Sequence, residues 1–286
     1  AITVPSNSQW AQYSAGLSGG DVRTLTVNGS TILSGTNSNG IFISGNNGSS
    51  WTQTSLNDKS VYAIIYSGTN ILAGTNLYGA YYSNDAGSTW LQSSLSSQIV
   101  WAFAVSGSNT FAGTSSGIFV STNSGINWSA SGLPTNFVYS LFVNGSTILA
   151  GTNLGVYYST NAGANWTQSS LNNKEVYTLN LNSGTMLAGT NAGVYLSTNG
   201  GINWITYATG NSNTLHSVEF LNANTGFTAG VDGIIYRSTN AGVNWSSVQT
   251  FEQNLMDISV FGSNQLFICG QSGQTAYSTS GAGSWI

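Results

Sequence analysis

The chain has 286 residues, of which four are Lys or Arg and eight are Asp or Glu, so 4% are charged and the formal net charge is −4. About a quarter of residues are charged in an average globular protein, so solubility here rests on Ser, Thr, Asn and Gly, a surface expected of a secreted or cell-surface protein. Four basic side chains cannot track a phosphate backbone, which argues against nucleic acid as a partner, and no basic amphipathic stretch or apolar run of about 18 residues suits direct membrane insertion.

The N-terminal segment AITVPSNSQW lacks a basic stretch followed by an apolar one, so the expectation is that a secretory signal has already been removed or was never present. The single cysteine, Cys269, excludes an intrachain disulfide and any Cys-based zinc or iron–sulfur centre. It replaces a small apolar residue of other repeats and is expected to be buried in a strand. Nothing in the sequence calls for a cofactor or a metal.

In chain order, an eight-residue stretch ending in Trp recurs seven times: SGNNGSSW (Ser44–Trp51), SNDAGSTW (Ser83–Trp90), STNSGINW (Ser121–Trp128), STNAGANW (Ser159–Trp166), STNGGINW (Ser197–Trp204), STNAGVNW (Ser238–Trp245) and STSGAGSW (Ser278–Trp285). The tryptophans fall 38 to 41 residues apart, a period typical of repeat architectures. Each period holds four short β-like runs. In the fifth these start at Trp166 and continue as Val176–Leu181, Thr185–Thr190 and Val194–Ser197, separated by Gly, Asn and Ser. Asn-Gly-Ser-Thr at Asn28 and Asn144 reads as a hairpin turn. No stretch has helical periodicity.

Four strands per unit and seven units predict an all-β fold: a single seven-bladed β-propeller with four-stranded antiparallel blades. One domain spans 1–286, in units of about 10–50, 51–89, 90–127, 128–165, 166–203, 204–244 and 245–285. Trp10-AQYS resembles Trp51-TQTS and Trp166-TQSS but follows no eight-residue motif. The N-terminal strand at about Trp10–Ser14 is therefore expected to complete the last blade and remove its free edge.

The motif resembles the Asp-box, S-x-D-x-G-x-T-W, of sialidases, sortilin-type receptors, xyloglucanases and photosystem II assembly factor propellers, and the repeats are also similar to those of large secreted bacterial surface proteins. Ser83–Trp90 matches at every fixed position, with Asp85 and Trp90. Five copies place Asn at the Asp position: Asn46 with Trp51, Asn123 with Trp128, Asn161 with Trp166, Asn199 with Trp204 and Asn240 with Trp245. The last copy, ending at Trp285, has Ser280 and Ala282 in the Asp and Gly positions. The resemblance implies that these residues build a structural turn away from any active face. It also argues against sialidase activity, since those enzymes grip a carboxylate with three arginines and only Arg23 and Arg237 are present.

Aligning the second runs gives one column that stands out: Arg23, Tyr62, Trp101, Tyr139, Tyr177, His216 and Met256. It precedes by two the apolar positions Leu25, Ile64, Phe103, Leu141, Leu179, Val218 and Ile258. In a propeller this strand is innermost, so the column is expected at the rim of the central channel. Loops on the same face add Leu77, Tyr78, Leu154 and Asp232. Aromatic rings with a few polar groups suit a glycan or a protein; equally, rings can serve only to pack blades. The leading expectation is a non-enzymatic binding or structural module of a larger extracellular assembly, with a glycan or protein partner. The alternative is a glycoside hydrolase of xyloglucanase type, with two carboxylates among Asp21, Glu175, Asp232 and Asp257 facing each other. An assembly-factor role is expected to need a basic patch, which two arginines do not supply. Sequons at Asn28, Asn47, Asn127, Asn144, Asn165 and Asn244 fall mostly where the turns need Asn anyway.

Overall fold

The protein is described by a computed structural model over residues 16–17, 21–46, 48–133, 136–207, 213–261, 265–271 and 275–278. Strands follow one another as antiparallel meanders. The first sheet holds β1 (Val22–Asn28), β2 (Thr31–Thr36), β3 (Ile41–Ser44) and β4 (Thr52–Gln53), and the second β5 (Val61–Ser67), β6 (Asn70–Thr75), β7 (Ala80–Ser83) and β8 (Leu91–Gln92). The third holds β9 (Val100–Ser106), β10 (Asn109–Thr114), β11 (Gly117–Ser121) and β12 (Ser129–Ala130), and the fourth β13 (Val138–Asn144), β14 (Thr147–Thr152), β15 (Gly155–Ser159) and β16 (Thr167–Asn172). The fifth holds β17 (Val176–Asn182), β18 (Thr185–Thr190), β19 (Gly193–Ser197) and β20 (Ile205–Tyr207). The sixth holds β21 (Leu215–Phe220), β22 (Gly226–Gly230), β23 (Ile234–Ser238) and β24 (Ser246–Thr250). Among the described residues the seventh has three strands, β25 (Leu255–Phe261), β26 (Gln265–Gly270) and β27 (Thr275–Ser278). The segment Trp10–Ser14, expected to complete it, and most of the last motif, with Trp285, lie outside the described residues, as does Asn47.

The described residues form two compact units, one within 1–110 and 121–129, the other within 111–120 and 130–286. In the first, β1, β5 and β9 run side by side; in the second, β13, β17, β21 and β25 do. Within each unit, each later sheet thus packs its leading strand against the sheet before it. Leu187, Val194 and Leu196 of the fifth sheet meet Leu215, Val218, Ile234 and Tyr236 of the sixth. Phe227, Ala229 and Ile235 of the sixth meet Leu255, Ile258, Leu266 and Ile268 of the seventh. A second strand therefore has apolar neighbours on both faces, which is why NILAGT in β6 is buried at every position and reads as a continuous apolar run rather than an alternating one.

The glycine of this run marks the closest approach between sheets. A Cβ on Gly74 falls 2.7 Å from Val100 Cγ1 and 2.8 Å from its carbonyl oxygen; one on Gly151 falls 2.8 Å from the Val176 oxygen. Only a residue without a side chain fits there.

The Trp-ending motif links the third strand of a sheet to the fourth. In Ser83–Trp90, the Ser83 hydroxyl donates to Asp85 Oδ1 (2.8 Å) and accepts from the Gly87 N–H (2.8 Å), while Asp85 Oδ1 accepts from the Thr89 N–H (2.9 Å). The Trp90 indole N–H donates to the Gly87 carbonyl (3.1 Å), and the Trp90 amide reaches back one repeat to Ser55 Oγ (3.0 Å). The Asn-containing motifs repeat the pattern, as at Asn161 and Asn199. An Asn side-chain carbonyl accepts the same two bonds as a carboxylate, so Asn replaces Asp without loss of the turn. Among the described residues these motifs build a hydrogen-bonded turn.

Replacing Gly74 by Ala is expected to cost about 1–3 kcal/mol, the range for overpacking a close-packed contact, read as a lower urea midpoint; an unchanged midpoint would contradict the packing described. Asp85 supplies a pH test. Hydrogen bonds from the Thr89 side chain and amide, with that from Ser83, hold its carboxyl down at about 2 from 3.8. Its stabilising effect is present above the ordinary carboxylate value and is lost as pH falls toward 2. Asp85→Asn is expected to remove that part of the acid-induced loss in a denaturation series between pH 4 and pH 2.

Candidate functional site

The two ends of each sheet differ. The Trp-ending motifs share one end with the hairpins joining first and second strands. The other end carries the loops between second and third strands and the segments entering each leading strand. In the first five sheets a Thr hydroxyl locks the loop between second and third strands, as where Thr75 Oγ1 donates to the Gly79 carbonyl (2.8 Å), Thr152 to Gly155 (2.8 Å) and Thr190 to Gly193 (2.8 Å); in the last two sheets Gly230 and Gly270 stand in its place. The sequence column lies at this loop end, one residue into each of the seven leading strands.

In the first unit, Arg23, Tyr62 and Trp101 occupy β1, β5 and β9. The exposed Arg23 guanidinium lies 5.6 Å from the centroid of the half-buried Tyr62 ring, within cation–π range. In the second unit, Tyr139, Tyr177 and His216 form a continuous run on β13, β17 and β21. Tyr139 and Tyr177 have centroids 5.3 Å apart at 30°, and Tyr177 and His216 are 5.3 Å apart, edge to face at 64°. Met256, on β25, is 36% exposed. Asp232 sits apart, exposed in the 3₁₀ turn Val231–Gly233, where the Asn254 side chain accepts its N–H (2.9 Å).

The rings of the second unit spend much of their faces on one another, so they offer edges and polar tips more than open platforms. The Tyr177 hydroxyl donates to Glu175. Burial, then that hydrogen bond and the Glu175 charge, push the Tyr177 phenol well above its usual range; burial and Glu175 raise Tyr139. Burial lowers His216. At neutral pH this run is a set of uncharged hydrogen-bonding groups beside one carboxylate, with no phenolate primed as a nucleophile.

Further along β21 and β25, sequence reading missed a second cluster. The Ser217 hydroxyl donates to Asp257 Oδ1 (2.6 Å), which also accepts from the Ile258 N–H (2.9 Å). Burial raises the Glu219 carboxyl, helped by the Asp257 charge, and burial raises Asp257 against the pull of Ser217 and Ile258. Asp257 keeps exposed surface, and water there tempers the effect; the less exposed Glu219 is the group that holds its proton longer. Cys269 lies near this pair, its thiol pushed up to about 11 by burial and then by Asp257. Asp257 was one of four carboxylates expected to pair, but its acidic neighbour is Glu219, outside that set. The register break between Leu215 and Ser217 recurs at the same place in β1, β5, β13, β17 and β25, so the strands stay in step; what spacing along the chain does not show is which carboxylates two neighbouring sheets bring together. Among the described residues no three His, Cys, Asp or Glu side chains group as a metal centre.

A raised carboxyl makes its ionised form costly, so stability rises as pH falls through the folded-state value toward the unfolded one. Wild type is expected to gain in urea midpoint from pH 8 to pH 5. Glu219→Gln and Asp257→Asn together are expected to raise the pH 8 midpoint and flatten that gain; an undiminished gain would contradict the assignment.

No family model and no curated protein matches the chain. Solved structures do match it. YCF48 from Cyanidioschyzon merolae superposes with a TM-score of 0.69 at 17% identity over 91% of this chain and 95% of that one. An ancestral GH74 enzyme superposes at 0.73 and 19%, over 93% of this chain and 46% of its own. The extracellular domain of a putative hybrid two-component system from B. thetaiotaomicron gives 0.72 and 17%, over 92% and 38%. The chain thus spans under half the length of the last two. At these identities the likeness concerns the fold alone, and the fold is that of β-propeller structures.

Proposed function

We propose that the chain is a secreted or cell-surface, non-enzymatic propeller of seven blades that binds a protein or glycan at its loop end, as one module of a larger extracellular assembly. The ring closes when the segment Trp10–Ser14 adds the fourth strand to the last sheet. Three observations support closure. The sequence Trp10-Ala-Gln repeats Trp51-Thr-Gln, whose last two residues form β4. A Cβ on Gly16 falls 2.3 Å from the Trp51 carbonyl oxygen, so the chain runs close beside Trp51 as it leaves that segment. Leu25 and Val27 on β1 are 59% and 63% exposed, whereas Ile64, Leu179, Val218 and Ile258, at the place of Leu25 in other repeats, are 8%, 8%, 1% and 0% exposed. The last sheet is what would cover them, at about 1.5–3 kcal/mol for each side chain fully buried.

The observation that carries the binding reading is the rigid loop end, where Arg23 is held against Tyr62 and Tyr139, Tyr177 and His216 are held against one another. Pre-set aromatic and polar groups on locked loops lower the ordering cost of recognition. YCF48 has also been seen bound to a D1 peptide, at 16% identity to this chain. The Glu219–Asp257 pair favours a second reading, glycoside hydrolysis, which needs a general acid and a second carboxylate. The neutral Tyr177 and the hydrogen bonds that occupy Asp257 count against it.

A glycan array and a peptide array probed with wild type and with the Arg23→Ala, Tyr62→Ala pair test the reading. Wild type is expected to bind at least one class, and the variant to lose about tenfold or more. Sugar release from a polysaccharide panel, abolished by Glu219→Gln, would overturn the non-enzymatic reading; no ligand on either array would overturn the binding one.

A further inference from the structure

The loop between β6 and β7 departs from its counterparts. Thr75-Asn-Leu-Tyr-Gly79 places two large apolar side chains, Leu77 and Tyr78, where other repeats carry Ser38 and Asn39, Ser115 and Ser116, or Asn191 and Ala192, and where the fourth carries Asn153 and a single exposed leucine, Leu154 (43%). Leu77 is 62% exposed and Tyr78 is 50% exposed. Leu77 also has φ 66°, a left-handed conformation that a branched aliphatic side chain adopts only under strain. Water gains nothing from this arrangement, and Asn or Gly would relieve it.

The loop is nevertheless held fast. The Thr75 hydroxyl donates to the Gly79 carbonyl (2.8 Å), the Gly79 N–H to the Gln98 carbonyl (2.8 Å), and Gln92 Nε2 to the Tyr78 carbonyl (3.0 Å). A Cβ on Gly79 falls 1.8 Å from the Leu95 oxygen, so the loop sits directly on the strand-entering segment. Lys59 Nζ lies 4.2 Å from the Tyr78 centroid and 2.8 Å from Asp58 Oδ2. The Lys59 side chain is 16% exposed and that of Asp58 is 67% exposed. The cation is tucked under the ring, and the carboxylate stands at the margin of the apolar pair.

We propose that Leu77 and Tyr78 are the anchor of a protein-binding surface, and that its partner is a chain segment presenting an apolar side chain next to a basic one. The apolar side chain packs on Leu77 and the open side of the Tyr78 ring, and the basic group pairs with Asp58. An exposed Leu gives a sugar nothing to hydrogen-bond, which selects protein over glycan at this loop. The inference rests on the binding reading above and names the partner class for one part of the same loop end.

Fluorescence anisotropy with three labelled octapeptides tests it: a Lys-Leu-Phe-Lys core, the same core with Glu in place of Lys, and the same core with Ser in place of Leu and Phe. The first is expected to bind wild type at least tenfold more tightly than the other two. Leu77→Asn and Tyr78→Ser are each expected to weaken it tenfold or more, and Asp58→Asn about threefold. Leu77→Asn should unfold at a urea concentration no lower than wild type, because Asn accepts the left-handed conformation, so lost binding cannot be lost folding. Equal binding of the three peptides, or undiminished binding to Leu77→Asn, overturns the inference. Binding of a glycan that Arg23→Ala, Tyr62→Ala abolishes, with no peptide bound, overturns it and leaves the binding reading standing; no binding of any kind overturns both.

Discussion

The close contact between consecutive sheets is what the rest of the structure depends on. A second strand can be apolar on both faces only because another sheet lies against each, and Gly74 and Gly151 let the following leading strand approach to van der Waals contact. The Trp-ending motif fixes the same contact from the far end, where a tryptophan amide reaches a serine of the previous repeat, as from Trp90 to Ser55 and from Trp204 to Ser170. Neither device works in a single repeat. Each repeat is stable only through its neighbours, the thermodynamic character of repeat proteins.

Stacked sheets leave one edge of every leading strand without a partner strand, a hazard for aggregation. Side chains deal with it here. Asn180 accepts from the Leu181 N–H (2.6 Å) and donates to the Val218 carbonyl (2.9 Å), tying β17 to β21. Ser217 and Asp257 tie β21 to β25 in the same way. Burial raises both carboxyls here, and the Asp257 charge adds to the effect on Glu219; Asn180 makes its stitch without charge. The loop end stands on this stitched frame, which is why Tyr139, Tyr177 and His216 have fixed mutual geometry.

Much of the fold was legible because the repeat multiplies each signal. Ser44, Ser83, Ser121, Ser159, Ser197 and Ser238 each open a motif, so the turn could be read even where Asn had replaced Asp. The column Arg23, Tyr62, Trp101, Tyr139, Tyr177, His216 and Met256 stands out through the same repetition, each member being the second residue of its leading strand. The mutual packing of its rings was not legible, since spacing along the chain says nothing of inter-sheet distance. Glu219 escaped notice because its acidic neighbour Asp257 stands on the next sheet, and the sequence does not show which side chains two sheets bring together. Leu77 was visible as an apolar residue in a loop, but its left-handed backbone was not.

The proposed closure of the sheets into one ring through the segment around Trp10–Ser14 is open to direct measurement. Hydrogen exchange followed by mass spectrometry tests it directly on peptides covering that segment, with Thr52–Gln53 of β4 as the internal standard. Closure predicts that amides at positions 11 to 13 exchange as slowly as those of β4, and that a Pro at position 12 abolishes the protection. Exchange at the rate of an unstructured peptide in the unaltered chain would contradict the closed ring.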